Sequence, residues 1–213
     1  MGIRGFCMRI SDLSRQAGVP VPTIKFYLRE RLLPPGEPTG RNQAIYGEMH
    51  LRRLRLIRAF TTISQLDLTS VRTLLTAIEN EEFPLPELFE IVNRTQLPQE
   101  DSRPDNAEAL LSARDDVEQL IEERGWRVDP DAPVSAHLAQ VLVALRRLGC
   151  DCDIGFFTAY AEAAERLIVR ELDLLSLEGP DRAAAVARSV LLEVALISTR
   201  RMALEHHAEL RFG

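Results

Sequence analysis

The chain of 213 residues is 46% hydrophobic and 27% charged, which excludes disorder and fibrous repeats and fits a small module joined to a larger one. Its 26 basic and 32 acidic residues give a net charge of −6, which taken alone argues against nucleic-acid binding. The distribution reverses that reading: residues 1–60 hold eleven Lys and Arg against four Asp and Glu, and the acidic excess falls on the rest, so a basic head sits on an acidic body.

Cys7, Cys150 and Cys152 are too few for a disulfide framework and fit a reducing, cytoplasmic setting. Residues 1–7 lack the apolar stretch of a signal peptide and read as an extension before Met8. The most apolar segment, 183–198, is shorter than a membrane span and carries Arg188 and Glu193, so it reads as a buried helix and no membrane partner is expected.

Ile10, Leu13 and Ala17 recur at helical spacing around Ser11, the expected N-cap, and Gly18 ends that helix. A second helix starts at once: Pro20 and Pro22 are tolerated in its first turn, Ile24 and Leu28 share one face, and Thr23 and Lys25 are left for solvent. From Leu33 to Tyr46 the chain has turn chemistry, with Pro34-Pro35-Gly36, Pro38, Gly40 and Asn42, and reads as a two-stranded wing. Residues 48–60 return to helical periodicity, with Leu51, Leu54 and Ile57 inward and Arg52, Arg53, Arg55 and Arg58 around the other sides. Thr69 is the expected N-cap of a fourth helix carrying Val71, Leu74, Leu75 and Ile78.

Pro84, Pro86, Pro98 and Pro104 then bracket one short helix, 87–93, and a polar linker, 96–105. Four more helical patterns follow over 106–124, 133–148, 154–175 and 181–210, separated by Gly125, Pro130, Gly149 and Gly179-Pro180. The last is apolar on nearly every side, through Val186, Val190, Leu191, Val194, Leu196 and Ile197, and belongs at the centre of a bundle or in a subunit interface. The expected fold is all-α with a small β-wing: an extension over 1–7, a winged helix-turn-helix over 8–80, a linker with a short helix over 81–105, and a helical body over 106–213.

Two short helices meeting at Gly18-Val19, a wing and a basic helix make a winged helix-turn-helix pattern. Such a module sets polar side chains from its second helix against base edges in a major groove, while arginines of the wing and the following helix neutralise phosphates. The positive head supplies the electrostatic attraction, and the acidic remainder limits indiscriminate binding.

Several motifs resemble the MerR family of transcriptional regulators over residues 8–80: Met8-Arg9-Ile10-Ser11-Asp12-Leu13, Ala17-Gly18-Val19, Thr23-Ile24-Lys25-Phe26-Tyr27 and Leu32-Leu33-Pro34-Pro35. Tyr46-Gly47-Glu48 and Leu51-Arg52-Arg53-Leu54-Arg55-Leu56-Ile57 extend the resemblance past the wing. The resemblance implies a homodimer on an inverted repeat in double-stranded promoter DNA, reaching RNA polymerase indirectly by twisting the DNA when an effector binds. It implies base or phosphate contacts at Thr23, Lys25 and Tyr27, backbone contacts at Arg52 and Arg53, and a wing contact taken by Arg41 and Asn42.

Three positions depart from the family pattern. Pro22 stands where many relatives have a basic residue, Leu28 where they commonly have Glu, and the wing reads Gly40-Arg41-Asn42-Gln43-Ala44 instead of Gly-Tyr-Arg. Relatives commonly continue into one long coiled-coil helix and a metal-sensing loop. Here a prolyl linker intervenes, and Leu110, Val117 and Ile121 keep a heptad-like register for about three heptads at most. The helical body is therefore expected to do much of the pairing and to sense a small ligand.

Trp126, Phe156, Phe157 and Tyr160 concentrate the body's aromatic rings. They read first as core and second as the lining of a site for a small apolar or aromatic ligand, with Arg146 or Arg147 for an anionic group. Cys150-Asp151-Cys152-Asp153 offers metal-ligand types but at most two thiolates, so a helix-helix turn outweighs a metal or thiol sensor. His206 and His207 read as a solvated helix end, His137 as a partly buried side chain, and Glu162, Glu165 and Glu171 as ion-pair partners of Arg166 and Arg170. With no nucleophile–base pair, complete metal set or glycine-rich phosphate loop in the sequence, no catalytic residue, metal or cofactor is expected. A plain dimerisation body without an effector is the alternative reading.

Overall fold

The structure, a computed structural model, describes residues 7–40, 43–97, 107–150, 152–174 and 181–213. The elements begin with α1 (Ile10–Ala17), α2 (Val21–Arg29), β1 (Glu37–Gly40), β2 (Gln43–Ile45), α3 (Glu48–Arg58), α4 (Leu68–Glu79) and α5 (Leu85–Gln96). They continue with α6 (Ala107–Arg124), α7 (Pro133–Arg147), α8 (Thr158–Leu172) and α9 (Arg182–Phe212). A π-helical turn, Ala59–Ile63, prolongs α3, and a 3-10 turn, Ile154–Phe157, precedes α8. The fold is all-α with a small antiparallel β1–β2 wing, as the sequence pattern requires. The chain divides into two compact units, Met1–Thr95 with Asp181–Gly213, and Gln96–Pro180.

In the first unit, α1 starts one residue before Ser11, and Arg9 is its N-cap, without a side-chain cap bond. The cause is Met8, whose backbone N–H and C=O both bond Tyr46 at 2.8 Å; Arg9 is the next residue, and its carbonyl accepts the first helical bonds. Gly18 closes α1 at φ +64°, a conformation that strains other residues, and a Cβ there would push the end of the Arg58 side chain aside. α2 turns Ile24 and Tyr27 inward, with Leu28 only half-buried.

The fourth helix is capped by Asp67, two residues before the expected Thr69. Asp67 Oδ1 accepts the amides of Thr69 at 2.7 Å and Ser70 at 2.9 Å. Those bonds, the Ser70 amide foremost, hold the Asp67 carboxyl below its ordinary value of 3.8. A depressed carboxylate contributes its stability above the unfolded value and loses it as pH falls through the folded one. Asp67→Ala should therefore lower the unfolding free energy by about 1 kcal/mol at neutral pH, and the deficit should shrink in urea titrations run below the ordinary carboxylate range.

α5 is longer than the expected 87–93, because Pro86 falls in its first turn, where no amide donor is needed. The polar linker expected over 96–105 lies, from Pro98 onward, outside the described residues.

The core of this unit gathers Leu13, Ile24, Leu32, Leu54, Phe60, Leu74 and Leu88. It also takes Val186 and Val190 of α9, which corrects the expectation that the last helix belongs to the body over 106–213. Arg182 explains the docking. Its Nε donates to the Ile78 carbonyl at 3.2 Å, Nη1 to Phe83 at 2.5 Å and Nη2 to Ala77 at 3.1 Å. The end of α4 presents carbonyls without helical partners, and the guanidinium fork supplies their donors.

In the second unit α6 packs on α7 around Ala113, Val117, Ile121, Ala139 and Leu142, with Trp126, Leu138 and Phe157 against them. Val117 and Ile121, the expected coiled-coil register, are thus consumed within the unit. Glu165 pairs across helices with Arg124 at 3.1 Å, and Glu162 with the same guanidinium at 3.9 Å, where pairing along α8 with Arg166 and Arg170 was expected. Among the described residues no helix is long and apolar enough to cross a membrane.

Candidate nucleic-acid interface

α2 and the wing enclose an open cleft of about 770 Å³, lined among others by Arg9, Lys25, Leu28, Thr39 and Gln43. Arg9 and Lys25 are both exposed, and neither forms an ion pair among the described residues. Two cations beside a hydroxyl and an amide make a surface suited to an anion-rich backbone with polar edges behind it. In the sequence Arg9 shows only as a basic residue immediately before the first helix.

The wing is seated by His50 and Tyr46. His50 Nδ1 accepts the Gly47 amide at 3.1 Å, which leaves Nε2–H to face the Pro35 carbonyl at 3.4 Å. The ring also meets Tyr46 edge-on at 5.2 Å, and burial pushes the Tyr46 hydroxyl above its ordinary pKa, so it stays neutral.

The expected contacts divide. Lys25 is exposed in the cleft, Thr23 is half-buried on the first turn of α2, and Arg52 is exposed on α3. Arg41 and Asn42 lie outside the described residues. Tyr27 is only 8% exposed, because its position on α2 faces the core, so its ring packs within the head.

Arg53 is engaged within the head. Its side chain is 14% exposed, its Nε donates to the Leu32 carbonyl and its Nη1 pairs with Glu79. Arg58 donates to the Ala17 carbonyl at 3.2 Å and Arg72 to that of Glu30 at 3.0 Å. Arg58 thus bonds the carbonyl end of α1, and Arg72 and Arg53 bond carbonyls at and just past the end of α2, which together hold the angle of that helix.

In the second unit the expected effector residues do not all converge. The Trp126 indole donates to Glu165 at 2.7 Å and Arg146 pairs with Asp116 at 2.6 Å, so both are engaged in holding helices together. Phe156, Phe157 and Tyr160 do cluster, with ring centroids 5.6–5.7 Å apart; Phe156 and Tyr160 are exposed while Phe157 leans on the core. Cys150 is exposed and Cys152 half-buried; among the described residues no three His, Cys, Asp or Glu side chains come together to hold a metal.

Residues 8–78 match the MerR HTH family of regulatory proteins. The chain is 34% identical over 68 residues to an HTH-type transcriptional regulator, a ZntR homolog, of Haemophilus influenzae; the match takes in 32% of this chain and spans half the length of that relative. The crystal structure of a candidate transcriptional regulator from Streptomyces coelicolor A3(2) superposes with a TM-score of 0.73 at 33% identity, covering 97% of this chain and 98% of the other. Residues 8–78 are thus a MerR-family helix-turn-helix domain, and the whole chain resembles a transcriptional regulator.

Proposed function

We propose that the protein binds an inverted repeat in promoter DNA as a homodimer, each copy setting α2 into a major groove and its wing against the flanking phosphates. The observation that supports this best is the pairing of Arg9 and Lys25 in the cleft of a strongly basic head. Thr23 and Lys25 meet bases or the nearest phosphates. Arg9 and Arg52 lie on the backbone, Arg41 and Asn42 complete the wing contact, and RNA polymerase is reached indirectly through the DNA. Hydroxyl-radical footprinting on the DNA upstream of its own gene should show two protected tracts related by a two-fold axis, about one helical turn or a multiple apart. A single unrepeated tract would rule out the inverted-repeat reading.

The second unit, in this proposal, responds to a small apolar or aromatic ligand at the Phe156–Phe157–Tyr160 cluster. Among lipophilic aromatic compounds, a true ligand at 100 times its Kd should stabilise the protein by about 2.7 kcal/mol in thermal melts. Phe156→Ala should remove that gain. No stabilisation across the panel would favour the plain structural module.

A further inference from the structure

α2 turns one face away from the head's core. Pro22, Lys25 and Arg29 are exposed at steps of three and four, while Ile24 and Tyr27 are buried and Val21, Thr23, Phe26 and Leu28 are half-buried. The outward face therefore carries two cations and, at its amino-terminal end, a bare pyrrolidine ring. The bulkier apolar neighbours are already engaged: Leu28 packs against the core, and the Arg29 guanidinium lies over the Phe26 ring, 5.4 Å from its centroid.

The same end of α2 is poor in donors. A helix amino terminus ordinarily offers free amide hydrogens to a phosphate. Here Pro20 is the N-cap and Pro22 falls in the first turn, and neither has an amide hydrogen. Only Val21 and Thr23 keep one before the Ile24 amide closes the first helical bond on the Pro20 carbonyl at 3.0 Å. What α2 leads with is a surface of C–H groups.

Of the base edges in a major groove, thymine's alone presents an apolar group, its C5 methyl. We infer that Pro22 reads that methyl group and so selects an A·T pair at one position of each half-site. The inference rests on the reading of α2 as the helix that enters the groove, and it names what the first turn recognises. Attraction comes from taking the methyl group out of water. Rejection comes from the polar edge of a G·C pair, which would be set against a ring that cannot bond it. Proline has no side-chain rotamer freedom to lose on docking, so little of the gain is offset. Lys25, about one turn further on, keeps the charged contact, so base selection and attraction to the backbone fall to separate residues of one face.

Full-length protein tests this on the operator that footprinting defines. Replacing each thymine in turn by uracil removes the methyl group and nothing else. One position in each half-site should lose about fourfold in affinity, the worth of one buried methyl group, and both together about fifteenfold. The loss should be the same at low and high salt, since no phosphate is involved. Pro22→Ser should bind the thymine and uracil operators equally, with a circular dichroism spectrum matching that of the unsubstituted protein. A flat uracil scan on protein that protects its operator overturns the inference and leaves DNA binding standing. A methyl effect that persists undiminished in Pro22→Ser overturns it too, by moving the contact to Thr23 or another side chain. Protein that protects no DNA tract removes the groove-reading proposal itself.

Discussion

Arg182→Ala should destabilise the first unit by about 3 kcal/mol and lower its calorimetric melting temperature by roughly 10 °C. One guanidinium satisfies three carbonyls, those of Ala77 and Ile78 at the end of α4 and of Phe83 in the turn before α5. Truncation leaves all three short of a donor and removes a cation from a helix C-terminus. The side chain is only partly buried, so the loss falls below the sum of three charge-assisted bonds. Arg182→Lys should recover a minor part, since an ammonium cannot reproduce the planar fork. The effect should carry to DNA binding, because α4 also holds Arg72 and Glu79, which fix the end of α2 directly or through Arg53. A melting shift under about 2 °C would mean that Val186 and Val190 hold α9 by themselves.

Lys25→Ala and Arg53→Ala should fail in opposite ways, although both residues are cations of the basic head. Losing Lys25 should weaken promoter binding about tenfold and flatten the slope of log affinity against log salt by about 0.9, with folding stability unchanged within about 0.5 kcal/mol. Losing Arg53 strips the Leu32 carbonyl of its donor and Glu79 of its partner, so stability should fall by about 2 kcal/mol while the salt slope holds. Filter binding between 50 and 200 mM salt, beside urea unfolding of each variant, separates the two. A flattened slope with full stability in Arg53→Ala would return that side chain to the phosphates.

Much of the reading head is legible in the chain itself because its signals are local. The spacing of Ile10, Leu13 and Ala17, the positive φ that only Gly18 accepts easily, the turn residues of the wing and the inward Leu51, Leu54 and Ile57 each act within a few residues. Helix starts were less legible. Ser11 and Thr69 are good capping residues by type, but the Met8–Tyr46 bridge selected Arg9, and Asp67, two positions earlier, already satisfied the amides of Thr69 and Ser70.

The roles of the arginines were not legible, since sequence reports a charge and not the carbonyl it meets. Arg53 bonds a residue 21 positions away, Arg58 one 41 away and Arg182 one 105 away. The amino-acid order alone settled the helical class, the wing, the split of charge and the family. The partner of α9, the burial of Tyr27 and the division of the cations into struts and free contacts were decided by the tertiary fold, because periodicity fixes which face of a helix is apolar but not which distant surface covers it.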